Sequence, residues 1–156
     1  YIGYTDAKKL AEGFSTKQKY TSVKSKLLSS YAWDTAIAFI QKTNSDYGSS
    51  SEEGNYKDSP TFNYTGIADT EKNKQTKANG KETLIPTGQT TAVNNIYDMG
   101  GNVCELTTES CSSPDGPYTG RGGDYSSNFD DYPAGDRIYL AGNARDFSGF
   151  RLTLYL

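Results

Sequence analysis

The chain has 156 residues, of which 34% are hydrophobic, and carries a formal net charge of −3 with no histidine. This length suits one domain with one core, so we treat residues 1–156 as a single domain. An acidic chain without a basic stripe argues against nucleic-acid binding. The absence of histidine removes the usual general base and the commonest zinc and copper ligand. No apolar stretch approaches the roughly 20 residues of a membrane span, so we expect no membrane insertion.

Two helices are predicted in the first 42 residues. Residues 5–12 form a short helix with Thr5 as its N-cap and Gly13 as its end. Residues 31–42 form a stronger helix with Ser30 as its cap, because apolar side chains recur there at helical spacing. That apolar face, which we expect in the core, consists of Trp33, Ala36, Ile37 and Ile40.

Residues 43–81 form a long polar segment that glycines, serines and a proline interrupt. A short strand is predicted near residues 61–64. Segments of this length inside a compact domain are usually functional or mobile. A solvated insert of low complexity explains the composition equally well.

The second half of the chain has the pattern of strands and tight turns. Residues 103–108 alternate as a strand after the Gly100-Gly101 turn, and residues 120–123 make another glycine-rich turn. The end of the chain, residues 150–156, gives the clearest strand. Its two predicted faces are an apolar one, with Phe150, Leu152, Leu154 and Leu156, and an opposite one, with Arg151, Thr153 and Tyr155.

The chain contains two cysteines, Cys104 and Cys111. A disulfide between them is possible in an exported protein. Two free thiols are an equally good interpretation, because sequence spacing does not fix the geometry that a disulfide needs.

Three blocks in the second half resemble the signature of one family. They are residues 95–105 (NIYDMGGNVCE), 121–125 (RGGDY) and 149–152 (GFRL). In this order they are similar to the "GLYDMxGNVWEW … RGGSW … GFR" signature of formylglycine-generating-enzyme-type C-type lectin domains, the sulfatase-modifying factor family. Cys104 and Leu106 stand where that signature has aromatic residues.

The resemblance implies a fold as well as a family. The expected structure is α+β: a C-type lectin fold with a small twisted antiparallel sheet, one or two helices and long loops. The blocks lie mainly in residues 84–156. The resemblance therefore leaves open whether an N-terminal part of the domain precedes Tyr1.

The residues of this chain depart from the enzymes of the family. The oxidase binds copper through two cysteines near the second and third blocks, and soft thiolates are what Cu(I) requires. No cysteine lies between Gly122 and Arg151. The related sulfoxide synthases hold iron with histidine, which is absent here. We therefore expect a catalytically inactive relative, with an oxidase as the alternative.

The non-catalytic branch that fits better is that of variable proteins diversified by retroelements. In those proteins the variable region lies between the second and third blocks, which corresponds here to residues 124–148. This implies a domain on a cell surface or phage tail that binds a protein or glycan ligand. An ordinary pair of polar loops in a purely structural exported domain is the alternative. The predicted ligand-binding residues are Tyr125, Ser127, Asn128, Phe129, Asp131, Tyr139, Asn143, Arg145, Asp146 and Phe147.

Two further roles are predicted around these blocks. The "GNxxE" turn of the family helps to hold calcium, so Asn102 and Glu105 are candidate ligands of a structural Ca²⁺. Arg121, Arg137 and Arg151 are expected to brace loops through hydrogen bonds to carbonyl or carboxylate oxygens.

Overall fold

A computed structural model describes residues 1–49, 53–66 and 74–156. These residues form an α+β fold with two helices and eight short strands. The helices are α1 (Tyr4–Lys17) and α2 (Ser30–Ile40). The strands are β1 (Lys24–Leu27), β2 (Phe62–Thr65), β3 (Lys74–Lys77), β4 (Cys104–Ser110), β5 (Tyr118–Arg121), β6 (Arg137–Leu140), β7 (Ser148–Phe150) and β8 (Leu152–Tyr155).

The strands form three small sheets. The largest has the order β6-β5-β4-β7, and the other two are the pairs β1-β8 and β2-β3. Neighbouring strands run antiparallel except β4 and β7, which are parallel. The α+β class and the antiparallel pairing predicted from the sequence are thus confirmed, and the parallel pair is an addition.

Strand β4 lies at the centre of the domain because its first four residues are buried on both faces. Leu106 packs on one face in a cluster with Ala7 and Ala11 of α1. On the other face, the Thr107 hydroxyl lies 3.1 Å from the Ser30 hydroxyl of α2. The two helices therefore pack on opposite faces of the sheet.

Helix α1 is longer than predicted. It begins at Tyr4 after Gly3, which makes no side-chain cap, and it continues through Gly13 to Lys17. The Ser25 hydroxyl of β1 accepts a 2.9 Å hydrogen bond from the Ser15 amide. Packing of this kind against β1 offsets the roughly 1 kcal/mol that a glycine costs inside a helix. The predicted cap at Thr5 and end at Gly13 were therefore wrong.

Helix α2 differs from its prediction only at the ends. Its N-cap is Ser29 rather than Ser30, since the Ser29 hydroxyl accepts a hydrogen bond from the Ala32 amide at 3.2 Å. It ends at Ile40, two residues early. The predicted apolar face is confirmed, because the buried core cluster around α2 consists of Trp33, Ile37, Ile40, Tyr47, Met99 and Ala134.

The predicted C-terminal strand is divided in two. Residues before Arg151 pair with β4, and residues after it pair with β1. The predicted apolar face is buried only in part: Phe150 and Leu152 pack against the cluster around α1, whereas Leu154 and Leu156 are 47% and 95% exposed. The division arises because Arg151 points its guanidinium at Glu105 of the sheet, while its carbonyl accepts a hydrogen bond from Leu28 beside β1.

The long polar segment contains the predicted strand as β2, paired with β3, which the sequence did not indicate. Residues 50–52 and 67–73 of this segment lie outside the described residues. Lys77 of β3 is fully buried, and its ammonium group donates hydrogen bonds to the carbonyls of Tyr56, Lys57 and Ser59. Burial lowers the pKa of Lys77 below its usual value. The buried Lys77 ammonium group therefore stabilises the backbone of residues 56–59 through these hydrogen bonds.

Gly120→Ala tests the packing at the centre of the sheet. A Cβ at residue 120 would lie 2.3 Å from the Cys104 sulfur and 2.8 Å from Leu140. We expect the substitution to lower the free energy of unfolding by about 1–3 kcal/mol, as overpacking usually does. Adding Cys104→Ala should recover part of this loss in urea denaturation.

Gly13→Ala is the matched control, because nothing lies within 4 Å of the new Cβ. It should stabilise α1 by about 1 kcal/mol. Equal effects of the two glycine substitutions would contradict the close approach at Gly120.

Candidate recognition surface

Trp33 is the largest fully buried side chain, and it joins α2 to the loop before β6. Its indole nitrogen donates a 2.8 Å hydrogen bond to the Ala134 carbonyl. The guanidinium carbons of Arg121 and Arg151 lie 5.8 and 5.4 Å from the centre of the indole ring. Both distances fall within the range of cation–π attraction. The second and third sequence blocks therefore meet at one aromatic side chain.

Arg121, at the end of β5, is fully buried. Its guanidinium donates to the carbonyl oxygens of Asp136 and Gly135 at 2.7 and 3.0 Å, and to Asp34 at 2.5 Å. The bracing predicted for this arginine is therefore confirmed. Because Asp136 and Gly135 precede β6, the buried cation fixes the end of the loop that joins β5 to β6.

Asp34 also binds Arg137 of β6 at 2.6 Å, and Arg137 in turn binds Glu109 at 3.2 Å. Burial alone would raise the pKa of Asp34, but the hydrogen bonds and charges of Arg121 and Arg137 hold it below its ordinary value. These side chains lie 28 to 103 residues apart in the chain. No local sequence pattern indicates that they meet.

Arg151, whose side chain is 29% exposed, makes a second ion pair with the buried Glu105 of β4. Its Nε and Nη2 atoms lie 2.5 and 2.7 Å from the two carboxylate oxygens. The same guanidinium donates to the carbonyl of Asp98 at 3.0 Å. Burial raises the pKa of Glu105, and the bonds from Arg151 oppose that rise. All three arginines predicted to brace the structure do so.

The predicted calcium ligands have other partners in this arrangement. Both carboxylate oxygens of Glu105 accept from Arg151. The Asn102 amide bonds to Asn55 and to both backbone groups of Ile85. No group of three or more acidic, cysteine or histidine side chains that might hold a metal is found among the described residues. Asn102 and Glu105 thus already have protein partners, and the structural Ca²⁺ stays a prediction.

The two cysteines are free thiols at opposite ends of β4. Seven residues of extended chain separate their Cα atoms by roughly 20 Å, far beyond the ~7 Å limit for a disulfide. The disulfide considered from the sequence is therefore excluded. Burial also raises the pKa of the Cys104 thiol to about 12, which disfavours the thiolate form.

Four predicted ligand-binding residues lie together in the loop after Gly123. The Ser127 carbonyl accepts from the Lys57 amide at 2.9 Å, and the Phe129 amide donates to Asp58 at 3.1 Å. This part of the loop therefore rests on the segment before β2. The four residues are Ser127, Asn128, Phe129 and Asp131.

A second group lies in residues 141–147, the connection between β6 and β7. Asn143, Arg145 and Asp146 are exposed there, and the Arg145 guanidinium lies 6.0 Å from the ring of the half-buried Phe147. Burial and the carboxylates of Asp146 and Asp124 raise the pKa of Tyr125. Tyr125 is thus within electrostatic reach of this group.

Tyr139 lies apart from both groups. Its neighbour Leu140 packs into the cluster around α1, and successive side chains of a strand point to opposite faces. Tyr139, which is 59% exposed, therefore lies on the α2 side of the sheet. The predicted residues thus lie in the loop after Gly123, in the connection from β6 to β7 and, for Tyr139, on strand β6.

Comparison with known proteins finds a solved structure of similar fold and no matching family. No protein-family model and no curated protein matches the chain. A solved structure described as "Crystal Structure of CarF" matches with a TM-score of 0.63 and 16% sequence identity, over 97% of this chain. The chain spans 64% of the length of that protein. No helix among the described residues is long and apolar enough to cross a membrane.

Asp34→Asn tests the ion network beneath the loop. At neutral pH we expect a loss of about 1–2 kcal/mol in the free energy of unfolding, because the buried Arg121 exchanges a charged partner for a neutral one. In the folded state the pKa of Asp34 lies below its ordinary value of 3.8. The stabilisation by its carboxylate is therefore present at a pH above 3.8 and is lost as the pH falls through the folded-state pKa. Urea denaturation of both proteins from pH 7 to pH 3 should show the difference shrinking. A difference that is constant over this range would contradict the assignment.

Arg151→Met tests the buried ion pair. It leaves the Glu105 carboxylate buried without its cation, which costs about 3–5 kcal/mol in comparable pairs. Removing both charges, with Arg151→Met and Glu105→Leu together, should restore most of the stability.

Lys57→Met provides the control, because it breaks an exposed ion pair with Glu82 at 2.8 Å. Exposed pairs contribute at most about 1 kcal/mol. If Lys57→Met and Arg151→Met lowered the free energy of unfolding by similar amounts, burial would not explain the contribution of the Arg151–Glu105 pair.

Proposed function

We propose that this chain is a non-catalytic recognition domain with a C-type lectin fold of the formylglycine-generating-enzyme type. It binds a protein or glycan ligand through residues 124–148 and is displayed outside the cell or on a phage tail. The resemblance of the three sequence blocks suggests the family. The meeting of the arginines from two of those blocks at Trp33 supports it.

The proposal rests mainly on residues 141–147, where the backbone is anchored but several side chains are exposed. Its backbone is fixed at both ends, since Gly142 accepts from the Tyr4 amide at 3.0 Å and Phe147 accepts from the Cys104 amide at 2.7 Å. Between these anchors the side chains of Asn143, Arg145 and Asp146 are exposed. Exposed side chains on an anchored backbone can change without disturbing the core, as binding loops require.

The thiols argue for recognition and against the oxidase alternative. Copper binding by Cys104 and Cys111 would bring together two sulfur atoms that β4 keeps apart. No cysteine lies between Gly122 and Arg151 to supply another pair. Without histidine the chain also lacks the usual general base.

The double substitution Arg145→Ala and Asp146→Ala tests the proposed surface. Both side chains are exposed, so the free energy of unfolding should change by less than about 0.5 kcal/mol. Binding of the labelled domain to arrays of immobilised glycans and extracellular proteins should fall at least about tenfold, equivalent to 1.4 kcal/mol.

The control replaces two exposed charges outside the surface, Lys81→Ala and Asp115→Ala. It should bind like the unaltered domain. Equal binding by all three proteins, or equal loss in both variants, would contradict the assignment of residues 124–148.

A further inference from the structure

A cleft on the α2 side of the sheet has the chemistry of a small polar binding site. It lies where the first turn of α2 meets β4 and β6, and its volume is about 220 Å³. This is below the ~300–1,000 Å³ of pockets for drug-sized ligands, so the cleft suits one small ring. We infer that it binds a single neutral pyranose unit of a saccharide. The residues that line it are Ser29, Ser30, Tyr31, Asp34, Thr108, Glu109 and Arg137.

The charges in and beneath the cleft balance. Asp34 and Glu109 provide two carboxylates, Arg137 provides one guanidinium, and the buried Arg121 binds Asp34 from below. The formal sum of these four groups is zero. The network therefore carries no net charge that would favour an anion or a cation over a neutral ligand rich in hydroxyl groups.

The same network presents donors and acceptors in fixed positions. The bonds of Arg137 to Asp34 and Glu109 use its Nε and Nη2 atoms, while a guanidinium carries five N–H donors. Each carboxylate can accept about four hydrogen bonds, and the network occupies only some of these sites. Sugar hydroxyls both donate and accept, so neighbouring hydroxyls match an alternating set of this kind. Because ion pairs already hold these side chains in place, they lose little further conformational entropy when a ligand binds.

Tyr31 supplies an aromatic surface at the edge of the cleft. It lines the cleft in the first turn of α2 and is 88% exposed, so it contributes nothing to the core. Its backbone is held within the helix, where the Tyr31 carbonyl accepts a 2.7 Å hydrogen bond from the Thr35 hydroxyl. A tyrosine offers a rigid apolar ring at low entropic cost, and the C–H face of a pyranose can pack on such a ring.

This inference does not depend on the 143–146 part of the proposed recognition surface. The cleft shares Arg137 with residues 124–148, but it lies on the face of the sheet that α2 covers. The exposed 143–146 side chains belong to a segment that contacts Ile2 and Tyr4 beside α1. Either surface can therefore bind a ligand while the other does not.

The test is a titration of the isotope-labelled domain with the methyl glycosides of glucose, galactose, mannose and N-acetylglucosamine, followed by amide chemical shifts. We expect at least one glycoside to bind with a Kd in the millimolar range and to shift the amides of Tyr31, Glu109 and Arg137. Tyr31→Ala and Glu109→Gln should each weaken that binding at least about tenfold. Tyr20→Ala and Glu82→Gln are matched controls, because they remove an exposed ring and one partner of an exposed ion pair elsewhere.

Three results would overturn the inference. One is the absence of shifts with all four glycosides. Another is that acetate or butylammonium shifts the same amides at lower concentration, since this would indicate a charged ligand. The third is that glycoside shifts map to residues 143–147 alone, which would support the proposed recognition surface and reject the cleft. Thermal unfolding of each variant confirms that it is folded before its titration is interpreted.

Discussion

The contact of Trp33 with Arg121 and Arg151 is the constraint on which the rest of the structure depends. Both cations lie within 6 Å of one buried indole ring, and each also satisfies a carboxylate and backbone carbonyls. Arg121 thereby fixes the loop that follows β5, and Arg151 fixes the junction between β7 and β8. Since the buried Arg121 and Glu105 are costly to leave unpaired, these ion pairs favour the observed arrangement of the neighbouring loops. The domain gains a defined loop geometry from a few polar contacts.

This constraint explains how a chain with few apolar residues holds long loops. The apolar clusters are small and lie on opposite faces of β4. Between and beyond them, polar side chains bind backbone groups: Lys77 fastens the segment before β2, and Asn102 bridges to Ile85. The connection from β6 to β7 is anchored differently, by backbone–backbone hydrogen bonds from Tyr4 and Cys104. Its exposed side chains are consequently not needed for folding, and this separation is what a recognition surface requires.

The sequence predicted the parts of the fold that local pattern or motif determines. The apolar face of α2 follows from helical spacing, and the bracing role of the arginines follows from the capacity of guanidinium groups to bind carbonyl and carboxylate oxygens. The division of the terminal strand at Arg151 was not predictable. Side chains alternate along a strand in the same way whether it pairs with one neighbouring strand throughout or with two in succession. The ion network of Asp34, Arg137 and Glu109 was also missed, since its members come from three distant elements. The grouping of the predicted ligand residues depends on sheet order, which the sequence pattern does not specify.

Hydrogen exchange tests the central claim most directly. Trp33 is the only tryptophan in the chain, so its indole N–H gives a single, assignable signal. If the two arginines and the Ala134 carbonyl hold the ring, this proton exchanges only through global unfolding, with a protection free energy equal to that from urea denaturation. The amides of residues 143–146 should exchange through local opening and far faster. Exchange of the Trp33 indole proton at the rate of those amides would contradict the account.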